Sequence, residues 1–252
     1  MIKTSKKNLN DLFKGLNIPK NSNIMLHSSI FSLGTIEGGI EGLYNFLIDY
    51  IGNNGNLILP AFTYSFRRGE KFDFINTPIC KSIGVFPEYV RLNKKHIRSR
   101  DPLFSMIAIG KDAEFLMKRE TYNCFGEGSI YDKLFKSNTY FVGIGVSYSA
   151  GLTCFIHLEA LANLDYRKFT KFEGHSFDEN GQLIKDHAIH FCYEKPRKNL
   201  SHREKFGEIL EENDISKRVK YGYSNHIAIN GSKCREFSIE FLAQKPNFMY
   251  PY

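Results

Sequence analysis

His157 is the side chain in this sequence best suited to proton transfer. Cys154 lies three residues before it and Glu159 two residues after it, in the stretch FVGIGVSYSAGLTCFIHLEALAN that runs from Phe141 to Asn163. An imidazole can take a proton from a nucleophile near neutral pH, and a thiol three positions earlier on a helix shares its face, as a cysteine nucleophile activated by histidine requires. Glu159 is poorly placed to orient His157, because residues two apart on a helix point in different directions. A carboxylate from elsewhere is needed, and Glu88, on a separate helix, is the candidate. Gly143-x-Gly145 lacks the third glycine of a dinucleotide fingerprint, and no glycine-rich run ends in Lys-Ser or Lys-Thr, so neither a nicotinamide or flavin site nor a P-loop is indicated. His187 and His190 are three apart in a strand-like segment, which sends them to opposite faces, so no metal site is expected there. The blander reading of the same stretch is a core strand and helix with one satisfied histidine.

The elements around these residues alternate. Apolar positions predict a helix over Ser5 to Leu16, a strand from Asn23 to Leu26 that runs into His27-Ser28-Ser29, and a helix carrying Leu43, Phe46, Leu47 and Tyr50 that ends at Gly52. A strand over Asn56 to Leu59 stops at Pro60. A helix over Ser82 to Leu92 follows, with Val85, Phe86, Tyr89 and Val90 on its apolar side, then a strand over Phe104 to Ile109 and a helix capped by Ser129. Tyr140 to Val146 is a strand, Ser147 to Gly151 a small-residue loop, and Leu152 opens the helix of His157. This alternation argues for an α/β chain with a largely parallel sheet covered by helices, and such sheets bind ligands at the carboxyl ends of their strands. His27-Ser28-Ser29 and the loop from Ser147 both fall at such ends. Residues 165–194 form a β-rich insertion turning at Asp178-Glu179-Asn180-Gly181. A helix near His202 to Leu210, a strand near Arg218 to Tyr223 and a closing helix over Ser232 to Gln244 complete the chain. Lys195 to Arg203 is its most linker-like stretch.

The 252 residues, 42% of them hydrophobic, suit one domain over residues 1–252. Met1 to Lys20 is polar and lysine-rich, no apolar run approaches a membrane span, and five scattered cysteines form no CxxC pair, so a cytoplasmic protein with neither a disulfide framework nor a structural zinc is expected. The formal charge of +7 favours anionic partners, from nucleic acid to the phosphates of coenzyme A. A nucleic-acid surface would gather basic and aromatic residues into one stripe. The sequence offers only Tyr64-Ser65-Phe66-Arg67-Arg68 among otherwise scattered charges, so nucleic acid is the distant alternative.

Taken together, several short motifs resemble the aminoglycoside 3-N-acetyltransferase family up to about residue 175. They are His27-Ser28-Ser29 with Leu33-Gly34, Leu57 to Thr63, Asn76-Thr77-Pro78 followed by Gly84 to Glu88, Arg98-Ser99 with Pro102 and Ser105, Phe125 to Ser129, and His157-Leu158-Glu159. The resemblance implies a three-layer α/β/α sandwich with a mostly parallel sheet, acetyl-CoA as donor without a metal, and an amine of an amino sugar as acceptor. It assigns the general base to His157. It places coenzyme A against His27, Ser28, Ser29, Leu33, Gly34, Ser147 and Thr153, and the acceptor against Thr63, Tyr64, Asp101 and Glu159. A homodimer follows by analogy only, and no membrane or nucleic-acid partner is implied. The chain departs from the family where Asp101-Pro102 replaces a His-Pro and where Gly151-Leu152-Thr153-Cys154 replaces an Asn-Thr. Asp165-Tyr166-Arg167 with Lys168, Phe169 and Lys171 is most similar to members associated with surface-polysaccharide assembly. A site for a polycationic aminoglycoside should be rich in carboxylates, and the net charge points the other way, so an amino sugar of glycan biosynthesis on a nucleotide carrier is the alternative acceptor. A non-catalytic acyl-coenzyme A binding module is a third reading.

Overall fold

Three strands without a polar face make the centre of the sheet. In the computed structural model, which describes residues 2–149, 151–195 and 201–250, nearly every residue of these strands is buried. In chain order the elements are β1 (Lys3–Thr4), α1 (Lys6–Gly15), β2 (Asn23–Ser28), β3 (Thr35–Ile36), α2 (Gly39–Ile51), β4 (Asn56–Pro60), α3 (Val85–Asn93), β5 (Ile97–Arg98) and β6 (Met106–Gly110). There follow α4 (Ala113–Met117), α5 (Ile130–Lys136), β7 (Tyr140–Ile144), α6 (Cys154–Leu161), β8 (Arg167–Phe177), β9 (Leu183–Tyr193), α7 (Ser201–Glu212), β10 (Ser216–Tyr221), β11 (Ser224–Asn230) and α8 (Gly231–Gln244). The main sheet runs β10-β11-β7-β2-β4-β6-β5. β7, β2 and β4 are mutually parallel, as strands covered on both faces commonly are, while the pairings outside them are antiparallel. The parallel part is thus confined to the centre and is smaller than the alternation of strands and helices suggested.

Strand periodicity divides the core in two. Ile24, Leu26, Leu57, Leu59 and Val142 pack with Phe13 of α1, Phe46 of α2 and Phe86 of α3, whereas Met25, Ile58 and Phe141 pack with residues of α4 to α8. The result is the expected three-layer sandwich. Capping agrees with the local sequence: Ser5 forms a reciprocal box with Asn8 at α1, and Ser129 accepts from the Asp132 amide at α5. Among the described residues no helix is long and apolar enough to cross a membrane.

Two expectations need correction. Val85 is half exposed and does not belong to the apolar side of α3. The strand near Arg218 to Tyr223 is one arm of a hairpin turning at Gly222, and its second arm, β11, is the strand that joins β7. The insertion is a long hairpin of β8 and β9 around the Asp178 to Gly181 turn, tied to the body through bridges at Phe72 and Asn123. Part of the linker-like stretch, 196–200, lies outside the described residues, but Arg203 belongs to α7.

Glu159 is where α6, the hairpin and α7 meet. Its carboxylate is fully buried, pairs with Arg167 at 2.8 Å and Arg203 at 2.9 Å, and accepts from the Tyr166 hydroxyl at 3.0 Å. The expected contact with an acceptor is therefore replaced by a structural one. Breaking a buried pair strands the remaining charge, so Glu159→Ala should cost about 3–5 kcal/mol. Urea unfolding monitored by circular dichroism measures this, and a loss within about 0.5 kcal/mol, the range of a plain surface substitution, would refute the role.

Candidate active site

The carboxyl ends of the three parallel strands open into one cavity of about 1000 Å³. β2 contributes His27 and Ser28, followed by Ser29; the segment after β4 contributes Phe62, Tyr64 and Arg67; the loop after β7 contributes Gly145, Ser147 and Thr153. β2 lies between β7 and β4, so the crevice forms where the chain leaves β2 in one direction and later returns on its other side. The Ser29 amide donates to the Ile144 carbonyl across that crevice at 2.8 Å. Gly145 has φ +64°, and a Cβ there would lie 2.2 Å from Ser32 Oγ, so the loop can sit against the β2 side only with glycine. His226 of β11 fixes it further, its Nδ1 accepting from the Gly145 amide at 3.2 Å while Nε2 donates to the Tyr221 carbonyl at 2.9 Å.

His157 does not line this cavity. Its ring is fully buried between α5 and α6, stacked on Phe135 with centroids 4.9 Å apart, and its Nδ1 accepts from the Gly126 amide at 3.2 Å. Burial lowers its pKa to about 3. The residue of α6 that reaches the cavity is Ile156. One step along a helix turns a side chain by about 100°, which separates a cleft position from a core position. The expectation of His157 as the base beside the acceptor is therefore not met by its position. Cys154 is buried as well, and desolvation pushes its thiol well above the usual range, away from nucleophilic use.

Glu88 does not meet His157. It holds Arg91, three residues on in α3, through two charge-assisted bonds and accepts from the Ile79 amide, and these contacts keep its carboxyl below the ordinary value. Of the residues expected to hold coenzyme A, the cavity brings together His27, Ser28, Ser29, Ser147 and Thr153. It leaves out Leu33, which is core, and Gly34, which packs against the Ile2 backbone. Of the expected acceptor contacts only Tyr64 is on the cavity wall. Thr63 donates to the Pro102 carbonyl, and Asp101 accepts from the amides of Leu103 and Phe104, both at 2.8 Å.

Residues not expected at the site complete it: Arg67, Lys81, His190 and Arg203 line the cavity, and no carboxylate does so among the described residues. His27 Nε2 lies 3.3 Å from Thr153 Oγ1, which also bonds the Tyr131 hydroxyl, and burial lowers the ring to about 4. His190 Nδ1 accepts from Arg67 at 2.5 Å and has the Cys192 thiol at 3.0 Å; burial and the Arg67 charge hold its pKa well below the usual value. His27 Nδ1, Ser28 Oγ, His190 Nε2 and Arg203 Nε are buried without a hydrogen-bond partner. Four of the eleven such side-chain atoms among the described residues, which include His157 Nε2, are on residues around this cavity, where a polar ligand can satisfy them. Arg67 and His190 stood in the sequence, one within a basic aromatic run and one beside His187, but their meeting spans 123 residues.

A model of the aminoglycoside 3-N-acetyltransferase family matches residues 25–243. The chain is similar to an aminoglycoside N(3')-acetyltransferase-like prophage protein of Bacillus subtilis, with 23% identity over 93% of this chain and 88% of that one. It is also similar to aminoglycoside N(3)-acetyltransferase III of Pseudomonas aeruginosa, at 25% identity over 64% of this chain and 66% of the other. Among solved structures, AAC-IIIb in a binary complex with CoASH superposes with a TM-score of 0.84 at 18% identity, covering 96% of this chain and 97% of that one. At that identity the superposition establishes the fold.

The enclosed His157 makes a prediction about acid stability. Its folded pKa, about 3, lies below the ordinary imidazole value of 6.5. Between those values the unfolded chain binds a proton that the folded ring does not, so stability declines as pH falls through the window, by about 1.4 kcal/mol per unit for this group. His157→Asn keeps an acceptor for the Gly126 amide and removes the titration. Its unfolding free energy should be less steep than that of wild type over the same window, and parallel curves would contradict the assignment.

Proposed function

Because the chain belongs to the aminoglycoside 3-N-acetyltransferase family, we propose that it transfers the acetyl group of acetyl-CoA to an amine of an amino sugar within the cavity at the carboxyl ends of β2, β4 and β7. The observation that carries this reading is the convergence of unpartnered buried polar atoms from His27, Ser28, His190 and Arg203 on that one cavity. The pantetheine arm lies along His27 to Ser29 and the facing loop with Ser147 and Thr153, and Lys81 at the rim is available to its phosphates.

In the reaction the neutral amine attacks the thioester carbonyl carbon, a C–N bond forms, and the carbonyl oxygen takes up negative charge. As the C–S bond breaks, the nitrogen gives up its extra proton and the sulfur leaves to become the coenzyme A thiol. Within the cavity, His27 is the imidazole we assign to that proton. It is neutral at pH 7, and among the described residues no cation occupies either of its nitrogens. His190 is excluded from the role because the Arg67 guanidinium, which can only donate, occupies its Nδ1 and leaves the proton on Nε2. Ser28 Oγ supplies a hydroxyl donor at the same strand end.

Removal of a general base from such a reaction costs about 10²–10⁴ in rate. His27→Ala should lower kcat by that amount in a thiol-release assay with acetyl-CoA and an amino sugar, while folded His157→Asn retains kcat within about tenfold. The reverse ranking, with both variants folded, would return the role to His157.

A further inference from the structure

We infer that the acceptor amine belongs to a molecule that also carries an oxyanion, a phosphate or a carboxylate, and that Arg67 and His190 hold that group. The inference rests on the preceding reading that acetyl-CoA is the donor and that one cavity holds both partners. Its starting point is the charge inventory of the wall, which has the cations Arg67, Lys81 and Arg203 and no carboxylate among the described residues. The carboxylates of the surrounding structure are already committed. Glu159 is taken by Arg167 and Arg203, Glu88 by Arg91, and Asp101 by two backbone amides.

The three cations differ in what balances them. Arg203 shares the Glu159 carboxylate with Arg167, and Lys81 lines the cavity together with the Ser28 and Ser29 segment assigned to the donor. Arg67 has no carboxylate within ion-pair distance among the described residues. Its Nη2 donates to His190 Nδ1 at 2.5 Å and its guanidinium lies 4.8 Å from the centre of the Phe172 ring, so the group is braced by contacts that leave its charge uncompensated. A guanidinium has five N–H donors in a fixed fork, and one bond to an imidazole leaves most of them unused. With Arg67 on Nδ1, the proton of His190 sits on Nε2, which is buried without an acceptor. Two adjacent residues therefore offer donors to this part of the cavity and no acceptor. That arrangement suits an oxyanion. It also opposes a polycation, whose ammonium groups would meet Arg67 with no countercharge on the wall. The pair is separated from His27 by the rings of Phe62 and Phe104, which contact one another and reach His27 and His190 respectively. An acceptor anchored at Arg67 thus approaches His27 across an aromatic floor.

The test is calorimetric titration of the protein already saturated with coenzyme A, so that donor phosphates do not compete. The ligands are glucosamine 6-phosphate, muramic acid, glucosamine and kanamycin. At least one anionic amine should bind about tenfold or more tightly than glucosamine, with kanamycin no tighter than glucosamine, and which of the two anionic amines wins distinguishes phosphate from carboxylate. Arg67→Ala should abolish the preference while its coenzyme A affinity and melting temperature stay near wild type. Arg67→Lys, which keeps charge but loses the fork, should retain part of the preference and serves if the alanine variant does not fold. Kanamycin binding as tightly as the anionic amines, anionic amines binding no better than glucosamine or not at all, or a preference unchanged in the Arg67 variants would each overturn the inference. A wild-type protein that fails to bind coenzyme A in the first titration instead overturns the donor reading and takes this inference with it.

Discussion

The carboxylate of Glu159 sets the geometry of the whole active region. An ion buried this deeply is held only by partners that neutralise it, and here they come from two other elements, Arg167 at the start of β8 and Arg203 in α7. The rotation of α6 follows from that tie. Ile156 is three residues before Glu159 and so about 60° away on the same side, which puts it on the wall that it shares with Arg203. His157 is two residues before Glu159 and nearly opposite, so it enters the layer between α5 and α6. The same tie anchors one end of the hairpin that carries His190. A single buried charge thus decides which face of the helix meets the cavity and holds the wall that faces it.

Burial affects the interior histidines alike but leaves them with different chemistry. His27, His157, His190 and His226 are all shifted down by desolvation, so each is neutral at pH 7. Their partners separate them. His226 has both nitrogens engaged by backbone and serves to hold the Gly145 loop. His157 holds the Gly126 amide and is sealed among aromatic rings. His190 receives a cation on one nitrogen, which turns the other into a donor. His27 alone of the four combines a place on the cavity wall with nitrogens that no cation occupies. The assignment of proton transfer therefore depends on who occupies each lone pair rather than on the pKa direction, which is common to all.

What the sequence made legible was mainly local. β2, β4 and β7 are short runs of apolar residues, and the positions just beyond them, including His27 to Ser29 and Thr153, reach the cavity because strand ends do so in this architecture. The hairpin turn at Asp178 to Gly181 was carried by its own turn residues. Two misplaced carboxylates also had local signals: Arg91 stands three residues after Glu88 on a helix, and Asp101 precedes two amides in the pattern of a side-chain turn. The phase of α6 had no such signal. His157 and Ile156 are adjacent, and it is the pairing of Glu159 with Arg167 and with Arg203, the latter 44 residues away, that tells which one faces the cavity. Arg67 and His190 were hidden for the same reason, since neither residue suggests the other until β9 folds across the end of the sheet.

The family fold and the cavity charges speak to different halves of the reaction. A coenzyme A donor is itself strongly anionic, so positive charge on the β2 side is compatible with any acceptor and discriminates nothing. Discrimination falls to charge that the donor does not need, on elements outside the central strands. Arg67 follows β4 in a short helical turn and is held by β9, part of the separate two-stranded hairpin rather than of the main sheet. Such segments can change their side chains without disturbing the strand ends that define the fold. Superposition at 18% identity carries the scaffold from one protein to another, but the sign of the charge beside the acceptor has to be read from the residues that this chain places there.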